Sequence, residues 1–100
     1  MKTVIVAHVR LPAENLPAAR AAIAPLVSET LKEPGCISYA FAEDLSEPGL
    51  LRISEIWADR ASLDAHMQAP HFAEWRVAAG SLGITERQIT IFTVSAEETL

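Results

Sequence analysis

Two histidines, His66 and His71, a carboxylate, Glu55, and a tryptophan two residues beyond it, Trp57, have the types and spacings that could do chemistry. They lie in one stretch, Glu33 to Trp75, which also holds the other tryptophan, the only tyrosine and the only cysteine. An imidazole takes up and returns a proton near neutral pH, the central requirement of a general base. Glu55 and Trp57, two apart on a strand, point the same way. A carboxylate beside Ile53 and Trp57 needs a partner if buried, so Glu55 either pairs with a cation or backbone group, or orients a histidine or a substrate hydroxyl. Trp57 serves as core or as the flat wall of an aromatic site. His66 follows Leu63 by three residues, at the edge of an apolar stripe. His71 follows Pro70 in the first turn of a helix, where the positive end of the helix dipole disfavours a cationic imidazole and leaves a base or acceptor. The spacing is not the i, i+4 of a histidine metal pair and no C-x-x-C is present, so no metal is expected.

Tyr39, Phe72, Trp75 and His8 are further candidates for contact with a ligand. Tyr39 reads as core or interface with its hydroxyl at an edge, and His8 as the polar exception in an apolar strand, reaching water or a ligand. Cys36 has no cationic neighbour closer than Lys32, which favours a structural thiol.

The elements that must position these groups follow from pattern. Thr3 to Val9 is a strand with Val4, Val6 and His8 on one face and Thr3, Ile5, Ala7 and Val9 on the other. Asn15 to Leu31 is an amphipathic helix with Leu16, Ala19, Ile23, Leu26, Val27 and Leu31 on its stripe. Asn15 is its expected N-cap, and Pro25 falls on the opposite side. Pro34-Gly35 ends it. Cys36 to Glu43 puts Ile37, Tyr39 and Phe41 on one face, LSEPG is turn chemistry, and Leu50 to Ala58 completes a hairpin. Asp59 caps a short helix with Leu63 and Met67 as its apolar pair, and Pro70 starts another that buries Phe72, Trp75 and Val77. Thr85 to Val94 is a last strand, apolar on both faces. The order β-α-β-β-α-β predicts an α+β, ferredoxin-like protomer with an antiparallel four-stranded sheet. Helices can cover only one face of that sheet, so a second copy is expected over the other, giving a sheet-to-sheet homodimer.

One hundred residues make a single domain, residues 1–100. A net charge of −5 with scattered cations argues against nucleic acid as a partner. A lone cysteine, an N-terminus too short and polar for a signal peptide, and no apolar run of about 20 residues predict a cytoplasmic protein without a membrane partner.

The runs LKEPGCISYAF, ISEIWAD and LDAHMQAPHF, in that order, resemble the antibiotic biosynthesis monooxygenase domain of the dimeric α/β-barrel superfamily. The resemblance implies a sheet-paired dimer with a ligand cavity between sheet and helices in each protomer. It also implies cofactor-free oxygenation by O2 of a small phenolic, quinol or polyketide-like aromatic. Members acting on aromatic polyketides carry an Asn four residues before the tryptophan and a Tyr six after it; here Ile53 and Leu63 stand there. A related branch binds or degrades heme with an Asn on the first strand, which this chain lacks. The chain looks closer to the small quinol-oxidising members. His71, His66 and Glu55 are then the catalytic candidates. Trp57, His8, Tyr39, Phe72 and Trp75 are the candidates for binding substrate. A non-catalytic dimeric binding protein for an aromatic metabolite, and a heme protein, are the alternatives.

Overall fold

The computed structural model describes all of residues 1–100 and has the expected ferredoxin-like α+β architecture. Strand β1 (Thr3–Arg10) leads through a 3-10 turn into helix α1 (Leu16–Thr30). The hairpin β2 (Cys36–Glu43) and β3 (Leu50–Trp57) follows, then helices α2 (Arg60–Met67) and α3 (Pro70–Ala79), then β4 (Glu86–Thr93). The sheet order is β2-β3-β1-β4, antiparallel throughout. The helices pack on one face, over the buried row Thr3, Ile5, Ala7 and Val9 of β1 and Leu51, Ile53, Glu55 and Trp57 of β3.

Local chemistry explains most boundaries. Asp59 caps α2 by accepting from the Ser62 backbone N–H at 2.8 Å and from its hydroxyl at 2.7 Å, and those bonds hold its carboxyl below the usual range. Pro25 is exposed while Leu26 is buried, so its missing N–H costs the core face nothing. Gly49 turns the hairpin at φ +84°, and a Cβ there would meet the Leu11 carbonyl oxygen at 2.2 Å.

Four expectations are corrected. Asn15 stands at the N-cap position of α1 but its side chain makes no capping bond; it donates to the Leu82 carbonyl at 2.9 Å and ties the start of α1 to the segment after α3. Leu31 is exposed although its backbone is still helical, because the buried face runs through Ala19, Leu26 and Thr30 and Leu31 falls one position off it. On α3 Val77 is exposed and Ala79 buried. Ile37 is exposed because the β2–β3 register shifts between Cys36 and Ser38: the extra residue of a bulge turns outward, and Cys36 takes the place opposite Trp57.

The opposite face of the sheet is uncovered in the protomer. Val6 is 55% exposed and Phe92 50%. Strand β4 lies beyond the reach of the helices, so Ile89 and Ile91, on their side of the sheet, are exposed as well.

Candidate active site

His66 sits not at the edge of a stripe but inside the core, 1% exposed, in the position expected for Met67. On α2, Leu63 and His66 are three apart and share the inward face, while Met67 turns toward solvent. The His66 ring lies against Phe72, Trp57 and Tyr39, with centroids at 4.9, 5.0 and 5.2 Å. Three elements thus enclose it: β2, β3 and the start of α3.

Its polar partner is Glu33, in the turn after α1, which the sequence reading did not select. Glu33 Oε2 stands 2.6 Å from His66 Nδ1 and 2.8 Å from His71 Nε2. One carboxylate oxygen therefore accepts from two imidazoles, and the three side chains form a relay from the half-buried His71 to the buried His66. With Nδ1–H given to Glu33, the lone pair of His66 lies on Nε2. That nitrogen is buried without any hydrogen-bond partner. A bare acceptor in an apolar site is costly, and its natural complement is an O–H or N–H brought in from outside.

Glu55 is buried beside this cluster. Its Oε1 accepts from Trp57 Nε1–H at 3.0 Å, which fixes both side chains along β3. Burial pushes the Glu55 carboxyl above the ordinary range, against the lowering effect of the Trp57 bond and of His66. In the folded state Glu55 thus holds its proton to higher pH than in the unfolded chain. Its contribution to stability is complete below the ordinary glutamate range and is lost as pH rises through the raised value. Glu55→Gln, which keeps an oxygen for Trp57, should therefore gain stability over wild type at pH 8 relative to pH 4. Urea unfolding at both pH values checks this; an unchanged difference between them would sink it.

Tyr39 is fully core, not at an edge; burial, then Glu55 and Glu33, raise its phenol far above the usual range, so it stays protonated. Burial and the same two carboxylates, Glu33 before Glu55, also raise the Cys36 thiol, which suits an inert structural cysteine. His8 is not part of the cluster. It points from β1 to the uncovered face, where Nε2 lies 3.4 Å from Glu86 Oε2, because strand alternation separates it from Ala7 and Val9.

A cavity of about 280 Å3 lies between α3 and the helix-side face of β1, β3 and β4. Phe72 and Trp75 line it with Val9 and Ile53. Phe72 touches both this cavity and the His66 ring, so it stands at the boundary between open space and the relay. Trp57, Tyr39 and Glu55 lie in the packed core beyond.

Glu33, His66 and His71 also offer one oxygen and two nitrogens within 4.8 Å of one another, a donor set that a divalent metal can use. The five-residue spacing of the histidines hid this grouping. The approaches are those of hydrogen bonds, and His66 Nε2 lacks the outer partner that a metal-bound histidine keeps. The free nitrogen of His66 is enclosed by three aromatic rings, which leaves no room for a heme iron on that atom. No helix of the chain is long and apolar enough to cross a membrane.

The profile of the antibiotic biosynthesis monooxygenase family matches residues 3–78. The uncharacterized protein sll1783 of Synechocystis is 36% identical over 74% of this chain, a match that spans 50% of its own length. Rv0793 of Mycobacterium tuberculosis is 34% identical over 65% of the chain and 63% of its own sequence. The chain thus spans less than two thirds of either curated relative. Among solved structures, a conserved protein from Methanosarcina mazei superposes with a TM-score of 0.86 at 32% identity, covering 92% of this chain and 91% of that one. The structure of Rv0793 superposes at 0.88 with 25% identity, covering 99% and 100%.

Proposed function

Because the chain belongs to the antibiotic biosynthesis monooxygenase family, we propose that it oxygenates a small hydroxylated aromatic with O2, using His66 as the base and no metal or organic cofactor. The observation that carries this reading is the unpartnered Nε2 of His66, held in one tautomer by Glu33 and walled by aromatic rings. A phenolic O–H supplies the missing donor. Nε2 takes its proton, and the phenolate passes one electron to O2, giving a phenoxyl radical and superoxide. Their recombination forms a carbon–oxygen bond at the ring, and the proton returns from His66 to the peroxide. Loss of the ring hydrogen as a proton, with O–O cleavage, then yields a quinone and water. Glu33 stabilises the imidazolium that forms in between, and the apolar walls keep water from the radical pair. The substrate comes in through the cavity lined by Phe72 and Trp75, and the Phe72 ring must turn for a hydroxyl to reach Nε2.

Two copies are proposed to pair through the uncovered sheet faces. Only 19 of 100 residues are buried in the protomer, and Val6 and Phe92 leave apolar area open that a monomer rarely carries. The test uses one preparation. Sedimentation at micromolar concentration should give a dimer, and the colourless protein should consume oxygen with hydroquinones or naphthols in the presence of a chelator. Labelled O2 should leave one atom in the product and one in water. A monomer would remove the pairing. A second reading, a binding protein without turnover, is favoured by the Phe72 barrier itself; stabilisation by aromatic ligands without oxygen consumption would establish it over the first.

A further inference from the structure

The chain has eight lysines and arginines, and six of them sit within salt-bridge distance of an acidic side chain. These are Lys2, Arg10, Arg20, Lys32, Arg52 and Arg60. Arg76 and Arg87 have no such partner, in a protein that carries a net charge of −5 and more acids than bases. Both line the same space, the cavity between α3 and the sheet, and none of its lining residues is acidic.

The two arginines reach it from different elements for reasons visible in the pattern. On α3, Phe72, Trp75, Arg76 and Ala79 are three and four apart and share one face. On β4, Arg87 pairs with Val9 and Ile89 with Ala7, so both point to the helix side of the sheet. Two like charges facing one apolar hollow repel each other, and no acidic side chain lines that hollow. A guanidinium presents a planar fork that matches a carboxylate.

We infer that this cavity binds a planar aromatic carboxylate, its ring against Phe72, Trp75 and Ile53 and its carboxylate between Arg76 and Arg87. The volume of about 280 Å3 lies near the lower end of ordinary small-molecule sites, roughly 300 Å3 upward, which suits one or two fused rings. A phosphate monoester presents oxygens to the same guanidinium forks, so naphthyl phosphate is the competing anion in the test. The inference deepens the proposed reaction: the substrate is a hydroxylated aromatic acid, anchored by its carboxylate while its ring points toward Phe72 and the relay.

The test separates binding from turnover by using ligands that cannot be oxidised there. Calorimetry at low salt is carried out with 2-naphthoate and with its neutral counterpart, 2-naphthamide. The acid should bind at least about tenfold more tightly than the amide, the increment of one charge-assisted pairing, and lose that preference as salt is raised. Arg76→Gln and Arg87→Gln, both exposed positions, should each reduce the preference, and the double variant should abolish it with the melting temperature unchanged. Equal affinity for acid and amide, binding of neither, or a preference that survives in the double variant overturns the inference. Tighter binding of naphthyl phosphate than of naphthoate would also overturn the carboxylate assignment. If the arginine variants dissociate the protein without altering the preference, the arginines serve an interface and the inference fails. In any of these cases oxygen consumption with a neutral hydroquinone remains a separate test of His66.

Discussion

Trp57→Ala should lower the melting temperature by roughly 15–30 °C and leave much of the protein unfolded or aggregated at 37 °C. Trp57 is the largest fully buried side chain, with no exposed surface. It sits opposite Cys36 and Thr3 in the sheet and packs against Tyr39 and His66. Truncating a buried tryptophan costs about 3–5 kcal/mol from lost burial and the hole that remains. Here a second cost adds to the first, because the indole N–H is the donor to buried Glu55, and a buried polar group left without its partner costs about 1–3 kcal/mol. Against a total stability of about 5–15 kcal/mol for a domain of this kind, the sum is most of the reserve. Trp57→Phe keeps one aromatic ring but loses the donor and the volume of the second ring. Its cost should shrink when Glu55 is also replaced by leucine, the sign of a shared interaction. Thermal unfolding of wild type, Trp57→Ala, Trp57→Phe, Glu55→Leu and the Trp57→Phe/Glu55→Leu double variant decides it; a Trp57→Ala protein melting within a few degrees of wild type would mean that the core does not rest on this residue.

That reliance on Trp57 was half legible. The period-two pattern of Leu51, Ile53, Glu55 and Trp57 placed them on one face, and the structure buries all four. The element order, the hairpin and the Asp59 cap were equally readable, because each depends on neighbours a few residues away. What a local pattern cannot carry is a partner far along the chain. Glu33 is separated from His66 and His71 by 33 and 38 residues, and its place before Pro34-Gly35 reads as helix-end chemistry. Asn15 does occupy the N-cap position, but the partner of its side chain, the Leu82 carbonyl, lies 67 residues away. The bulge at Ile37 leaves no mark in a run of alternating residues, yet it decides that Cys36, not Ile37, faces Trp57. His66 and Met67 compete for one position on α2, and hydrophobicity alone favours methionine. The carboxylate of Glu33 reverses the choice, since it gives the buried imidazole the partner that makes its burial tolerable.

The same carboxylate sets the order of effects expected in the relay. His66→Ala should reduce oxygen consumption by about 10^2–10^4, the usual contribution of a positioned base. The loss falls on kcat more than on KM, because Nε2 meets the reacting hydroxyl and not the body of the ligand. Glu33→Gln keeps an oxygen that can accept an N–H but removes the negative charge facing the imidazolium formed during proton transfer. It should therefore lower kcat nearly as much as His66→Ala, with the aromatic cage and ligand binding intact, as in other histidine bases oriented by a carboxylate. His71→Ala leaves Glu33 in place and His66 oriented, so its loss should be the smallest of the three. Oxygen uptake and naphthoate binding, measured side by side, distinguish this order from simple unfolding: binding should survive in all three variants while turnover falls in the sequence His66, Glu33, His71. If His71→Ala proves the most damaging with Glu33→Gln nearly silent, the proton does not pass through His66, and the base faces the groove between α1 and α3 that His71 lines.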